Sequence, residues 1–176
     1  MIKSRLLRIF LPAAAVLFLP SASNAHLGDP WHGLSQSQRG LKIVSVALTQ
    51  IGLKAGSCKV WIQVSLLPAA TNGHVQIPNN AAEPSSRWKA DPTGHVVDLG
   101  QSLGKAAAGD IIQMVVRFKD GTPTSHTAVI ASINSSSITF VESNFSVANT
   151  VTTRKIPKQD FLAKLVDGQF TIYRIT

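Results

Sequence analysis

The chain has 176 residues, 44% of them hydrophobic and 15% charged, with one cysteine and a net charge of +8. That length suits one domain with a core of its own and excludes a multidomain array, while the single cysteine excludes a disulfide-stapled scaffold. The basic residues are scattered, with no stripe interleaved with aromatics, so the charge makes no case for a nucleic-acid partner.

The opening residues read as an export signal. Lys3, Arg5 and Arg8 precede the apolar run IFLPAAAVLFLP at 9–20, and Ser23-Asn24-Ala25 has the small-residue pattern of a cleavage site after Ala25. The run is short for a bilayer span and carries two prolines. Residues 1–25 are therefore expected to be a signal peptide. The mature chain, 26–176, is expected in the periplasm or outside the cell, with no stable membrane insertion after cleavage. Without the three leader cations it keeps 14 Lys and Arg against 9 Asp and Glu. A lone thiol in an oxidising compartment is a liability unless it is buried or used.

Residues 26–39, HLGDPWHGLSQSQR, are polar and punctuated by Gly and Pro, the composition of a flexible arm. His26, Asp29 and His32 lie there, but no second cluster with ligand spacing completes a metal site. From Leu41 to Leu53 the apolar positions Ile43, Val44, Ala47, Leu48 and Ile51 recur at helical spacing. A second helix is expected from Cys58 to about Leu67, with Trp61, Ile62 and Leu66 on its buried stripe and Pro68 weakening its end. Residues 70–109 are irregular, with a short helix at 95–104. Strands follow at 111–118, 126–133, 137–145, 150–156 and 170–175, with a helix at 159–166. Helices first and an antiparallel meander after them make an α+β domain over 40–176.

Three strings in this order can carry hydrolytic chemistry. Cys58 follows Gly56 and Ser57 at the head of the second helix, where free N–H groups and the helix dipole favour a thiolate. Of the five histidines only His126 opens a predicted strand, the rigid placement a base needs. Glu142 lies inside the apolar run ITFVESNF, where a carboxylate is costly unless paired. Alternation puts Phe140, Glu142 and Asn144 on one strand face. Glu142 and Asn144 are both candidates to orient the imidazole, as the third member of a triad does.

Cys58 heading a helix after GS, GDIIQ at 109–113, HTAVI at 126–130 and VESN at 141–144 together resemble the CHAP family, the cysteine- and histidine-dependent amidohydrolases and peptidases of the papain-like clan that includes the NlpC-type peptidases. The resemblance spans 40–176. It implies a papain-like α+β fold with a nucleophile helix packed on an antiparallel sheet of five to six strands. It also implies cleavage of amide bonds in peptidoglycan, with Cys58 as nucleophile, His126 as base and Glu142 or Asn144 orienting it. Some phage members carry an acidic calcium loop before the cysteine. LTQIGLKAGSC has no acidic residue, so neither calcium nor any other cofactor is expected.

The expected partner is peptidoglycan or its peptide stems. Trp88 between Arg87 and Lys89 suits a ligand with sugar faces and carboxylates, and Trp61 is assigned to substrate with it. Two alternatives share the fold: a catalytically silent wall-binding or protein-interaction module, and an antibacterial effector with the same chemistry and an inhibitor or immunity protein as partner.

Overall fold

Ser35 starts the first helix. Its side chain accepts the Gln38 backbone N–H while the Gln38 side chain accepts that of Ser35, a reciprocal cap that satisfies two N-terminal donors. The helix, α1 (Gln36–Thr49), buries Gly40, Ile43, Val44 and Ala47 along one stripe. The computed structural model describes residues 31–75, 77, 95–118 and 120–176. The expected leader at 1–25 and the Arg87–Trp88–Lys89 site lie outside the described residues. Part of the expected arm is core instead: Trp31 is 2% exposed and its indole N–H reaches the Thr176 carbonyl oxygen. The polar neighbours of Trp31 concealed one large apolar anchor.

The second helix begins at Cys58, as α2 (Cys58–Val60), and widens into a π-helical stretch (Trp61–Leu66) before α3 (Leu67–Thr71). Pro68 explains the widening. It has no N–H to give the carbonyl four residues back, and its ring crowds that carbonyl, so an i to i+5 register relieves both. The helix expected to weaken at Pro68 thus continues to Thr71, where Asn72 in the left-handed region ends it.

The strands are β1 (Val96–Gly100), β2 (Ile111–Arg117), β3 (Pro123–Ile133), β4 (Ser137–Ser143), β5 (Val151–Pro157) and β6 (Leu165–Ile175), with α4 (Lys158–Lys164) before the last. They form one antiparallel sheet in the order β1-β6-β2-β3-β4-β5. The architecture is α+β. The short helix expected at 95–104 is corrected to the edge strand β1, which pairs with β6, the C-terminal strand. Its sequence, VVDLG, is too short for periodicity to separate strand from helix.

The sheet is covered on both faces. Ile111, Val129, Val141, Val151 and Tyr173 pack with α1 to α3, and the alternate residues Ile112, Met114, Ala128, Ile130, Phe140 and Ile172 pack with Phe161 of α4. Two covered faces account for the near-continuous apolar runs of β2 and β3. α1 is pressed onto the chain entering β2, so that a Cβ on Gly40 would sit 2.2 Å from the Ala108 carbonyl oxygen, and Gly109 at φ +88° faces Gly40 just as closely. Asp110 then clamps this entry. It accepts from the Ala107 N–H at 2.7 Å and from Arg174 at 2.9 and 2.8 Å, which gives the GDIIQ string a structural reason.

Candidate active site

The site forms where β4 stops and β3 continues. Ala128 pairs with Glu142, the last step of the β3–β4 ladder towards His126. One residue past β4, Asn144 turns into the left-handed region at φ 58°, which asparagine tolerates better than most residues. It is exposed, and its side-chain oxygen accepts the Asn149 N–H at 2.9 Å, stabilising the β4–β5 turn. Hence Asn144 does not share a strand face with Glu142, and the expectation that the two look out together is corrected. The side-chain oxygen of Asn144 serves the turn rather than an imidazole.

With β4 gone, the edge of β3 is open to the helix layer. The Thr127 backbone N–H, which would otherwise enter the ladder, reaches the sulfur of Cys58 instead, and so does the Lys59 N–H from the start of α2. Cys58 is 9% exposed and is held at the edge by the preceding turn, where the Ser143 hydroxyl donates to the Gly56 carbonyl oxygen at 3.0 Å. Gly56 sits at φ +64°, a conformation that a residue with a Cβ resists.

His126, 3% exposed, bonds to both neighbours. Its Nε2–H donates to Glu142 Oε2 at 3.1 Å. That leaves Nδ1 as the ring nitrogen for Cys58, with which it shares a side-chain hydrogen bond. Glu142 is fully buried, and its carboxylate is occupied on both oxygens. Arg154 of β5 donates from Nε to Oε1 at 2.6 Å and from Nη2 to Oε2 at 2.9 Å, and the Ser146 hydroxyl lies 3.5 Å from Oε1. Phe145 roofs the group, 4.5 Å from the His126 ring and 4.5 Å from the Arg154 guanidinium, and it stacks on the exposed Phe118.

The charges reinforce one another. Burial alone would push the Cys58 thiol up, but the hydrogen bond and charge of His126, with the Thr127 and Lys59 N–H groups, bring it below its ordinary value. Burial likewise works against a charged His126, and its bonds to Cys58 and Glu142 outweigh it and raise the imidazole. Glu142 is lowered despite its burial, through His126 and Arg154. The arrangement favours a thiolate beside an imidazolium, the form in which sulfur is nucleophilic.

Trp61 lies elsewhere. It is 1% exposed, and its indole N–H donates to Gln50 Oε1 at 2.6 Å, tying the helix that Cys58 heads to the end of α1. Its assignment to substrate is corrected, because a side chain sealed between helices presents no face to a ligand. Arg154 was not singled out in the sequence. Its signal would have been a lone arginine at a half-buried strand position whose register lies two residues, on the same face, from a buried glutamate. Among the described residues no group of three or more His, Cys, Asp or Glu is placed to hold a metal ion.

No family model and no curated protein matches the chain. Among solved structures it is similar to the crystal structure of Ly7917, with 16% identity over 80% of this chain and a TM-score of 0.49. It is also similar to Ly7917 with the hydrolyzing product of MDP, with 17% identity over 79% of this chain and a TM-score of 0.49. The chain spans 63% of the length of each of those chains, and likenesses at this level carry no weight for function.

Proposed function

We propose that the protein is an exported cysteine hydrolase that cleaves an amide bond in peptidoglycan, on a papain-like fold. The observation that carries the hydrolase reading is the buried relay of Cys58, His126 and Glu142, in which each side chain is bonded to the next. Export and the peptidoglycan substrate are supported by the leader-like residues 1–25 and by the resemblance of the four sequence strings to the CHAP family.

In this mechanism Glu142 fixes the imidazole with Nε2–H facing it, so that Nδ1 takes the Cys58 proton. The thiolate attacks the amide carbonyl carbon, and a backbone N–H near Cys58, other than the Lys59 N–H held on the sulfur, receives the developing oxyanion. His126 passes its proton to the nitrogen as the C–N bond breaks, leaving a thioester and a free amine. Water, deprotonated by His126, then attacks the thioester. The carboxylate product departs and Cys58 recovers its proton.

The test is digestion of purified sacculi by the mature protein, with the soluble products weighed by mass spectrometry. Fragments bearing a newly freed amine and carboxylate are expected, absent with Cys58→Ala. Intact sacculi, alongside hydrolysis of an unrelated amide, would move the substrate elsewhere; no hydrolysis of either would favour a silent binding module.

A further inference from the structure

Arg154 is a charged side chain bonded to Glu142 of the Cys58–His126–Glu142 relay, and the hydrolytic steps do not use it. Its guanidinium grips both oxygens of a carboxylate that has no exposure, at 2.6 and 2.9 Å. Its faces rest on Phe140 and Phe145, at 5.1 and 4.5 Å from the ring centroids. Phe145 in turn packs against the His126 ring at 4.5 Å. Arg154 therefore bears on the imidazole along two routes, through the shared carboxylate and through the shared aromatic ring. β5 holds it there by register, since Arg154 pairs with Phe140 and Thr152 with Glu142, placing the guanidinium diagonally beside the carboxylate.

We propose that Arg154 is a positioning residue for catalysis: it keeps Glu142 ionised and aimed at His126 Nε2, and it supplies the positive charge that balances the reactive thiolate. The inference rests on the reading of Cys58 and His126 as nucleophile and base. The direction follows from charge: whatever Lys59 contributes beside Cys58, removing the guanidinium makes the buried site more negative by one. A more negative buried site favours uptake of a proton at every group in reach, so the thiol form of Cys58 gains. The other charged group that the helix layer brings near is Lys59, 1% exposed and next to Cys58 in α2. β3 contributes His126, β4 Glu142 and β5 Arg154.

A purely structural arginine would affect stability and nothing else, so the readout is the pH profile of Cys58 alkylation by iodoacetamide, measured on folded protein. Arg154→Met is expected to move the acid limb of the profile to higher pH, slowing alkylation at a fixed pH on that limb by roughly tenfold, the low end of a neighbouring-charge effect. Arg154→Lys keeps the charge without the fork and is expected to return the limb most of the way, with hydrolysis still below wild type because the carboxylate is held at one point rather than two. It also serves as the folded variant if the methionine protein is too unstable to measure. A profile unmoved in folded Arg154→Met overturns the proposal, whatever happens to the melting temperature. So does an Arg154→Lys protein that hydrolyses as well as wild type. A wild-type profile resembling that of a free thiol would instead remove the Cys58–His126 reading itself, and the two failures are thereby distinguished.

Discussion

Replacing His126 with alanine is expected to lower kcat/KM for amide hydrolysis by roughly 10³-fold or more, since members of such a relay act as a unit. The loss has two sources. No group remains to take the Cys58 proton or to protonate the leaving amine, and the sulfur loses the partner that holds its thiol below the ordinary value. Thr127 and Lys59 still direct their N–H groups at the sulfur, so the variant should retain a small residual nucleophilicity. Kinetics on released muropeptides, with circular dichroism to show that the sheet is intact, check this. Hydrolysis within a few-fold of wild type would mean that His126 is a buried structural histidine.

The second large effect falls on stability. Glu142 carries three side-chain partners inside the sheet layer, so Glu142→Leu leaves Arg154 and His126 without their acceptor. Removing one partner of a buried pair costs about 3–5 kcal/mol. Arg154 keeps 18% of its side chain exposed and can hydrate in part, so the lower end is expected. That corresponds to a fall of roughly 10 °C in Tm for a domain of this size. The double change Glu142→Leu with Arg154→Met should recover part of the loss, because it removes the stranded charge as well.

Glu142→Gln keeps the shape and tests the charge through pH. Glu142 is lowered in the folded state, so its contribution is full above its ordinary 4.5 and is lost as pH falls through the folded value. His126 is raised, so its contribution is full below its ordinary 6.5 and is lost as pH rises through the folded value. The stability advantage of wild type over Glu142→Gln should therefore be largest between about pH 4.5 and 6.5 and shrink on either side. Urea unfolding across that range measures it, and a constant difference would show that Glu142 is not an ion in the fold.

These expectations also show which parts of the molecule were legible in the sequence. The proximity of Cys58, His126 and Glu142 was anticipated from position: a thiol at a helix start, an imidazole at a strand start and a carboxylate inside the apolar run ITFVESNF, where it is costly unless paired. Asn144 misled because alternation says where side chains point only while the strand lasts, and one left-handed residue ends it. Arg154 escaped for a related reason. It lies 12 residues from Glu142, and only the register across the β4–β5 turn brings the two together. Trp61 was apolar at the right spacing for burial, and burial is where the structure puts it. Trp31 shows the converse, a core residue hidden within a polar segment. The strands β2 to β5 were readable from their branched residues, whereas β1 owes its existence to pairing with β6, a contact that local sequence does not encode.

The central claim is that Cys58 is a thiolate held by His126, and its rate of alkylation against pH tests that most directly. Iodoacetamide should label folded wild-type Cys58 well below the pH at which the same thiol reacts in urea-unfolded protein, where its value returns towards the ordinary 9.0. His126→Ala should move the folded profile towards the unfolded one. Reaction of the folded protein only above about pH 8, as for a free thiol, or a profile indifferent to His126, would contradict the account and leave Cys58 a buried, inert side chain.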